Sequence, residues 1–369
     1  MTFEERLKDI LARMRDAKLD AIVALHDGAH FIETPNPVTV LTGFKSLGPA
    51  AAILRGDGRM TLIVAPAWDA ERATEQCPQA RVVGADDIVE ALTAALSNGA
   101  RKNAGLAGMR YLPSSIASRV AAALPAAPSA DTLVFDAART KTDDEIGHAR
   151  EATRIAELGY RRLLDIARPS MSEDELAAEL KWFMKTLGAD DNFLLLCASP
   201  HNRAVQPSTG RRFQKGDIIL AEITPSVRGQ LAQICRTVVV GDASAELAEK
   251  YALVVHAMDQ GIAAARPGVP MAEVCRAINT VLEAKGYGEF CHPPHIRRRG
   301  HGLGFASMRP GDVALDNETI LEPDMIFMIH PNQYLPETGY LLCGEPVLLT
   351  ANGAEPLTAQ KAALATVAG

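Results

Sequence analysis

The chain has 369 residues and a formal net charge of −7. Because a domain commonly has roughly 100–200 residues, this length favours two domains. Hydrophobic residues make up 47% and charged residues 22% of the chain, a composition that excludes a disordered or fibrous protein. The acidic balance lacks the excess of Lys and Arg that non-specific nucleic-acid binding requires, so we expect no nucleic-acid partner.

The cysteines and the N-terminal residues indicate the compartment. Six cysteines lie far apart and form no Cys-x-x-Cys pair, which is typical of a protein in a reducing environment. The first residues include Glu4 and Glu5, where a signal peptide would be basic and then apolar, and no apolar run reaches about 18 residues. We therefore expect a cytoplasmic protein with no membrane partner.

The first part of the chain has the pattern of a mixed α/β unit. Apolar residues recur at helical spacing over Phe3–Met14, and the apolar run Asp20–Leu25 that follows predicts a buried strand. The segments Ala50–Leu54 and Met60–Val64 flank a Gly-rich turn, 55–59, which predicts a β-hairpin.

A change in composition marks the expected domain boundary. Residues 125–131 are rich in Pro and Ala, as linkers often are, and the apolar segment Thr132–Phe135 after them predicts a strand. We therefore expect a first domain over residues 1–130 and a second over 131–369.

The second domain has signs of internal duplication. Ala167–Leu176 is echoed by Ala265–Val274, each with a Pro turn before a new helix, and the first contains a capping box at Ser172–Glu175. A weaker echo relates Asp217–Pro225 to Asp324–Pro331. These repeats predict two related halves around a central sheet.

Two polar residues stand out in a predicted hairpin of this domain, formed by strands Ile218–Ile223 and Ile234–Val240. Glu222 interrupts an apolar strand, where an unpaired buried carboxylate is costly. Gln233 can donate and accept hydrogen bonds at once, which suits an amide or ureido group. Both are candidate site residues.

Two histidines, His301 and His330, are candidate catalytic residues because of their sequence environment. His301 lies within the Gly-rich segment Gly300–Gly304, where the backbone can approach a ligand closely, and imidazole titrates near neutral pH as a general acid or base must. His330 ends an apolar strand. The glycine spacing does not match a dinucleotide-binding fingerprint.

These segments, taken in order, resemble the pita-bread superfamily of creatinase, aminopeptidase P, prolidase and methionine aminopeptidase. The resemblance implies an α+β protein. It also implies a catalytic domain in which helices wrap a curved antiparallel sheet in pseudo-twofold halves. A smaller α/β creatinase-like N-terminal domain is expected before it, and a homodimer is the expected assembly. The segments that carry the resemblance are 168–176, 215–219, 236–237, 300–304, 321–325 and 345–349.

The peptidases of this family hold two metal ions with two Asp, one His and two Glu. In this chain only the histidine position, His301, keeps the pattern. The other four positions correspond, in order, to Glu222, Gln233, His330 and Gly344, although a shift of one residue replaces Gly344 by Glu345. Neighbouring divalent cations need bridging carboxylates, which a neutral amide and an imidazole cannot replace. The resemblance to creatinase implies that the fold can hydrolyse a C–N bond without metal.

We therefore expect a metal-independent hydrolase with no cofactor, which cleaves a C–N bond of a small, carboxylate-bearing amide, ureido, guanidino or cyclic amidine compound. His301 is the expected general base and acid, and Glu222 and His330 are expected to orient it or the attacking water.

Five further residues are expected to bind the substrate. Gln233 suits its amide or ureido group, and Arg297 or Arg309 would clamp its carboxylate through a bidentate pair. His201 lies near the position of a histidine common in the family, and Glu345 is next to a ligand position.

Two other readings remain open. Glu222, His301 and His330 form a two-His-one-carboxylate set that would hold a single metal ion if the side chains converge, which would suit a hydrolase, a lyase or a degenerate Xaa-Pro peptidase. Alternatively, the chain is a non-catalytic scaffold. Cys235 and Cys343 are expected near the pocket. They would act there either as nucleophiles or as small buried apolar residues.

Overall fold

The computed structural model describes residues 1–96 and 103–369, and it divides into two compact units. The first unit contains Met1–Asp143 together with Phe305–Arg309, and the second contains Asp144–Gly304 and Pro310–Gly369. No helix in the described ranges is both long enough and apolar enough to cross a membrane.

The division falls at Asp143, later than the boundary at 130 that the Pro/Ala-rich segment predicts. The segment Thr132–Phe135, predicted as a strand, lies instead within a helix, Asp131–Ala137. Val134 and Ala137 of this helix are buried in the core of the first unit, which holds the segment there. A short apolar run does not distinguish a strand from a buried helix by periodicity alone, and here tertiary packing decides.

The first unit alternates helices and strands. Its helices are α1 (Phe3–Asp16), α2 (Pro37–Thr42), α3 (Ala70–Gln76), α4 (Ile88–Ala95), α5 (Ser114–Ala123) and α6 (Asp131–Ala137). Its strands are β1 (Ala21–His26), β2 (Ala50–Arg55), β3 (Met60–Val64), β4 (Ala80–Gly84) and β5 (Ala104–Ala107). The predicted first helix, the strand after it and the hairpin of β2 and β3 are confirmed.

The strands of the first unit form one mixed sheet in the order β4-β3-β2-β1-β5. Strand β1 is buried along its whole length because both faces of the sheet are covered. Ile22 and Ala24 belong to the core on one face, and Val23 and Leu25 to the core on the other. This alternation explains why the segment reads as a continuous apolar run.

The second unit has two helix pairs, each followed by strands. Its helices are α7 (Asp143–Ile166), α8 (Glu173–Thr186), α9 (Ala245–Ala264) and α10 (Met271–Glu283). Its strands are β6 (Asp191–Ser199), β7 (Ile218–Val227), β8 (Gln230–Leu231), β9 (Ile234–Val240), β10 (Gly300–Gly302), β11 (Ile326–Ile329), β12 (Gln333–Leu335), β13 (Gly339–Leu341), β14 (Glu345–Thr350), β15 (Gly353–Pro356) and β16 (Ala365–Val367).

The predicted duplication agrees with this order of elements. One sheet has the order β16-β9-β7-β6, with β8 paired to β7, and joins the strands of the first half to β16, which follows β15 in the chain. The second half forms a sheet in the order β10-β11-β14-β15. The capping box predicted at Ser172 is confirmed, since its side chain accepts from Glu175 N and the Glu175 carboxylate accepts from Ser172 N.

The two halves join at the edge between β9 and β14. The backbones of Cys235 and Gly344 exchange two hydrogen bonds of 3.2 Å, and Thr237 accepts from Leu342 N at 2.9 Å. This junction is where the candidate site residues of both halves are brought together.

Candidate active site

Glu222 and Gln233 form a hydrogen-bonded pair across the predicted hairpin. Strand β7 pairs antiparallel with β9, and Glu222 is opposite Cys235 in the register. Strand β7 first turns into β8 through Arg228 and Gly229, which both have positive φ, as two-residue hairpin turns require. Gln233 lies just before β9, and its Nε2 donates to Glu222 Oε1 at 2.5 Å.

This pair leaves one polar atom without a partner. A carboxylate oxygen only accepts, so the Gln233 amide must turn its NH₂ group toward Glu222 and its oxygen away. Gln233 is 1% exposed, and its Oε1 has no hydrogen-bond partner in residues 1–96 and 103–369. A buried amide oxygen without a donor is costly, so this atom is suited to accept from a bound molecule.

His301 is held in one tautomer by its own strand. Its Nδ1 lies 3.0 Å from the carbonyl oxygen of Gly302. A carbonyl only accepts, so Nδ1 carries the proton and Nε2 of the neutral ring is the basic nitrogen. The residue before His301 is Gly300, at φ +152°. A Cβ added there would collide with the backbone of Met328, so the close pairing of β10 with β11 requires glycine at this position.

His330 packs against His301 and occupies the space that a side chain at position 344 would need. The ring centroids of the two histidines are 5.2 Å apart, at an interplanar angle of 62°. A Cβ added to Gly344 would lie 2.6 Å from His330 Cβ and 2.6 Å from Met328 Cε. Real Cβ atoms do not approach so closely, so His330 and a larger residue at 344 exclude each other.

The environment of His330 keeps its ring neutral. Burial lowers the pKa of His330 well below the usual value for histidine, and the adjacent His301 and Arg298 lower it further. Its Nδ1 is buried and has no hydrogen-bond partner among the described residues. The side chain therefore offers a neutral imidazole nitrogen for a hydrogen bond with a ligand.

Two further residues of the site escape prediction from the sequence. Burial raises the pKa of Tyr340, and the nearby Glu222 raises it further, so its phenol remains a proton donor. Asn332 lies close to this phenol, and its Oδ1 accepts from Cys343 N at 3.1 Å. Asn332 is only two residues past His330, a proximity that could have indicated it, whereas no motif marks Tyr340.

Glu345, predicted to bind substrate, lies in a buried ion pair. Its Oε1 is 3.0 Å from Arg236 Nη2, and the two side chains are 1% and 2% exposed. The carboxylate also accepts from Ala362 N at 2.8 Å, while Arg236 donates to Gly344 O at 2.8 Å. These bonds tie the two halves together at their junction, so the geometry gives Glu345 a structural position.

The other predicted binding residues occupy different places. Arg309 belongs to the first unit, where its Nε donates to Asp136 at 2.8 Å. Arg297 is exposed and lines a small cavity with the arginines that follow it. His201 is exposed after β6, with Nε2 3.0 Å from the Pro336 carbonyl oxygen, to which it donates as N–H. Within the described residues, none of these three is hydrogen-bonded to Glu222 or Gln233.

The cysteines near the junction have the properties of buried apolar residues. Cys235 and Cys343 are fully buried. Burial raises the pKa of Cys235, and it raises the pKa of Cys343 to about 12. Because the thiolate is the reactive form, neither environment favours a nucleophile.

The second unit thus presents a polar cluster at the junction of its two related halves, and a separate α/β unit comes before it in the sequence. The chain belongs to the metallopeptidase family M24, whose family model matches residues 147–351. The model of the creatinase/prolidase N-terminal domain matches residues 6–140. These matches confirm the predicted superfamily and the pita-bread fold.

Curated relatives and solved structures agree with this assignment. The Xaa-Pro dipeptidase of Pyrococcus furiosus is 26% identical over 360 residues, which cover 96% of this chain and 98% of the relative. The uncharacterized peptidase YqhT of Bacillus subtilis is 30% identical over 221 residues, 59% of this chain and 62% of that protein.

Among solved structures, the prolidase of Pyrococcus horikoshii superposes with a TM-score of 0.84 at 22% identity, over 97% of this chain and 99% of that one. The Xaa-Pro dipeptidase of Bacillus anthracis gives a TM-score of 0.83 at 23% identity, over 99% and 100%. At this level of identity, the structures show the fold.

The residues of the cluster do not fit the pair of metal ions that the family resemblance implies. Gln233 is neutral and already bonded to Glu222, and Gly344 has no side chain and no room for one. Within the described part of the chain, no group of three or more His, Cys, Asp or Glu is arranged to hold a metal ion. A dinuclear centre also needs bridging carboxylates, which this set does not supply.

Proposed function

We propose that this member of family M24 is a metal-independent hydrolase that cleaves a C–N bond in a small, carboxylate-bearing amide, ureido, guanidino or cyclic amidine compound. Membership of a hydrolase family, with relatives named Xaa-Pro dipeptidases, supports C–N hydrolysis. The altered residue set supports a substrate other than a peptide.

The unpartnered Oε1 of Gln233 is the observation that carries the proposal. Beside it lies the Glu222 carboxylate, so the pair offers two kinds of acceptor to a ligand. Amide, ureido and guanidino groups present several N–H donors close together, and a guanidinium also carries a positive charge. Such a group satisfies the buried oxygen and pairs with the carboxylate.

His301 acts as the proton carrier. Its Nε2 accepts a proton from water, and the oxygen attacks the carbon of the scissile C–N bond. The protonated ring then donates the proton to the leaving nitrogen. Neutral His330 and the phenol of Tyr340 donate hydrogen bonds to the oxygen or nitrogen on which charge develops.

The single-metal alternative lacks geometric support, since no three candidate ligands converge in the described residues. The predicted homodimer and cytoplasmic location stay predictions.

A substrate panel tests the proposal. The purified protein is incubated with N-carbamoyl amino acids, N-amidino amino acids and Xaa-Pro dipeptides, and the release of amine or ammonia is followed. We expect turnover of a carbamoyl or amidino compound. His301→Asn should lower kcat by about 10²–10⁴-fold, whereas His256→Asn, an exposed histidine of α9, should leave kcat unchanged.

Gln233→Leu should raise KM more than it lowers kcat, because it removes a binding group rather than the proton carrier. Hydrolysis of Xaa-Pro dipeptides alone would contradict the proposal. So would equal activity of the wild-type and His301→Asn proteins.

A further inference from the structure

The second unit contains a small cavity whose lining shares no residue with the catalytic cluster. Its volume is about 170 Å³, and it is walled by the end of α10, the segment 291–299 and the turn 314–316. None of Glu222, Gln233, His301 and His330 lines it. Its charged lining is basic overall, since the charged side chains in its wall are Arg297, Arg298, Arg299 and Asp316.

Arg299 is a buried charge held entirely by neutral groups. The residue is 1% exposed, and its Nε donates to Asn279 Oδ1 at 2.7 Å. Its Nη1 donates to the Pro331 carbonyl at 2.9 Å and to the Gln333 side-chain oxygen at 2.9 Å. No carboxylate in residues 1–96 and 103–369 pairs with it, and its Nη2 is buried with no hydrogen-bond partner there.

A buried guanidinium without a counter-charge is strongly unfavourable. Hydrogen bonds to neutral acceptors offset part of this cost, and the remaining donor, Nη2, marks where an acceptor is missing. Arg236, the other buried arginine discussed in this unit, differs from Arg299 because its guanidinium is 3.0 Å from the Glu345 carboxylate.

The neighbouring groups do not neutralise Arg299. Burial raises the pKa of Cys275 to about 11 and also raises the pKa of Cys291, so both thiols are uncharged near neutral pH. The Cys291 thiol donates to Tyr287 O, which leaves its sulfur as a weak acceptor beside the guanidinium. Asp316 is exposed.

The other two arginines differ in their partners. Arg298 is paired with Asp312 at 2.9 Å. Arg297 is exposed and has no ion-pair partner among the residues that the structure describes. The wall of the cavity therefore includes the buried guanidinium of Arg299, whose Nη2 has no partner in the described residues, and the exposed guanidinium of Arg297.

We propose that this cavity is a binding site for a small oxyanion, a phosphate or a carboxylate group. The anion accepts from Nη2 of Arg299 inside the cavity and from Arg297 at its edge. Guanidinium is the side chain best suited to such groups, because its planar donors match two oxygens. The volume accommodates an anion of this size with a few waters.

Titration calorimetry of the full chain tests the site, independently of any catalytic activity. Phosphate and malonate are titrated separately, with chloride at equal ionic strength as the reference. We expect saturable binding of at least one oxyanion, and the two titrations show whether phosphate or carboxylate is preferred. Arg297→Ala should weaken binding by about tenfold, the loss of one charge-assisted hydrogen bond.

Arg299→Met should abolish binding, and Arg154→Ala, a surface arginine paired with Glu151, is the matched control and should bind normally. If Arg299→Met does not fold, Arg297→Ala alone tests the site, because the Arg297 side chain is exposed and its removal should not impair folding. The proposal is overturned if neither oxyanion gives more heat than chloride, or if Arg297→Ala binds as tightly as Arg154→Ala.

Discussion

Replacing Glu345 by Gln should destabilise the second unit strongly, because it leaves the Arg236 guanidinium buried without its counter-charge. Both side chains are almost fully buried, and the 3.0 Å contact is the ion pair at the junction of the two halves. Breaking a buried pair by removing one partner costs about 3–5 kcal/mol. In a domain of about 150–250 residues, each kcal/mol lowers Tm by about 2–4 °C, so the expected loss is roughly 6–20 °C.

Differential scanning calorimetry at pH 7 measures this loss. Glu355→Gln, an exposed glutamate of β15 in the same sheet, is the control and should change Tm by no more than about 2 °C. The double variant Arg236→Met/Glu345→Leu should recover much of the lost stability, since it removes both charges together. The reasoning is refuted if Glu345→Gln melts like the control while its KM rises, because that result would assign Glu345 to substrate binding.

Two further predictions concern steric exclusion and pH. Gly344→Ala should cost about 1–3 kcal/mol and lower kcat, because the new Cβ displaces His330. Gly210→Ala, where an added Cβ meets no atom within 4 Å, should change neither quantity, and equal stability of the two variants would contradict this prediction. Burial lowers the pKa of His26 in the first unit to about 4. Its folded pKa is below the unfolded value of about 6.5, so its contribution is complete above pH 6.5 and is lost as the pH falls toward 4. Denaturant unfolding should show a loss of about 2 kcal/mol between pH 7 and pH 5 from this group, and His26→Gln should lose correspondingly less over that range. Identical pH dependence of wild type and variant would exclude this role.

Elements set by local pattern could be predicted from the sequence. Helix α1 combines helical apolar spacing with a capping box between Thr2 and Glu5, and the hairpin of β2 and β3 flanks a Gly-rich turn. The helix at Asp131–Ala137 could not, because its apolar residues are too few to distinguish the two periodicities and its state depends on packing against distant residues.

The candidate site shows the same division. Glu222 and Gln233 are eleven residues apart in one hairpin, so the strand register brings them together predictably. The partner of Glu345 is 109 positions away, and the partner of Arg309 is 173 positions away. Such pairings depend on the tertiary fold, which is why two residues expected to contact substrate are found in ion pairs.

Metal content measured together with activity tests the absence of a catalytic metal most directly. Protein purified without chelators is analysed by inductively coupled plasma mass spectrometry, and turnover of the best substrate is measured before and after dialysis against a chelator. The Glu222–Gln233 pair and the exclusion of a side chain at Gly344 predict metal far below one ion per chain and unchanged turnover. One or two ions per chain, with activity lost on chelation and restored by added metal, would contradict the proposed mechanism.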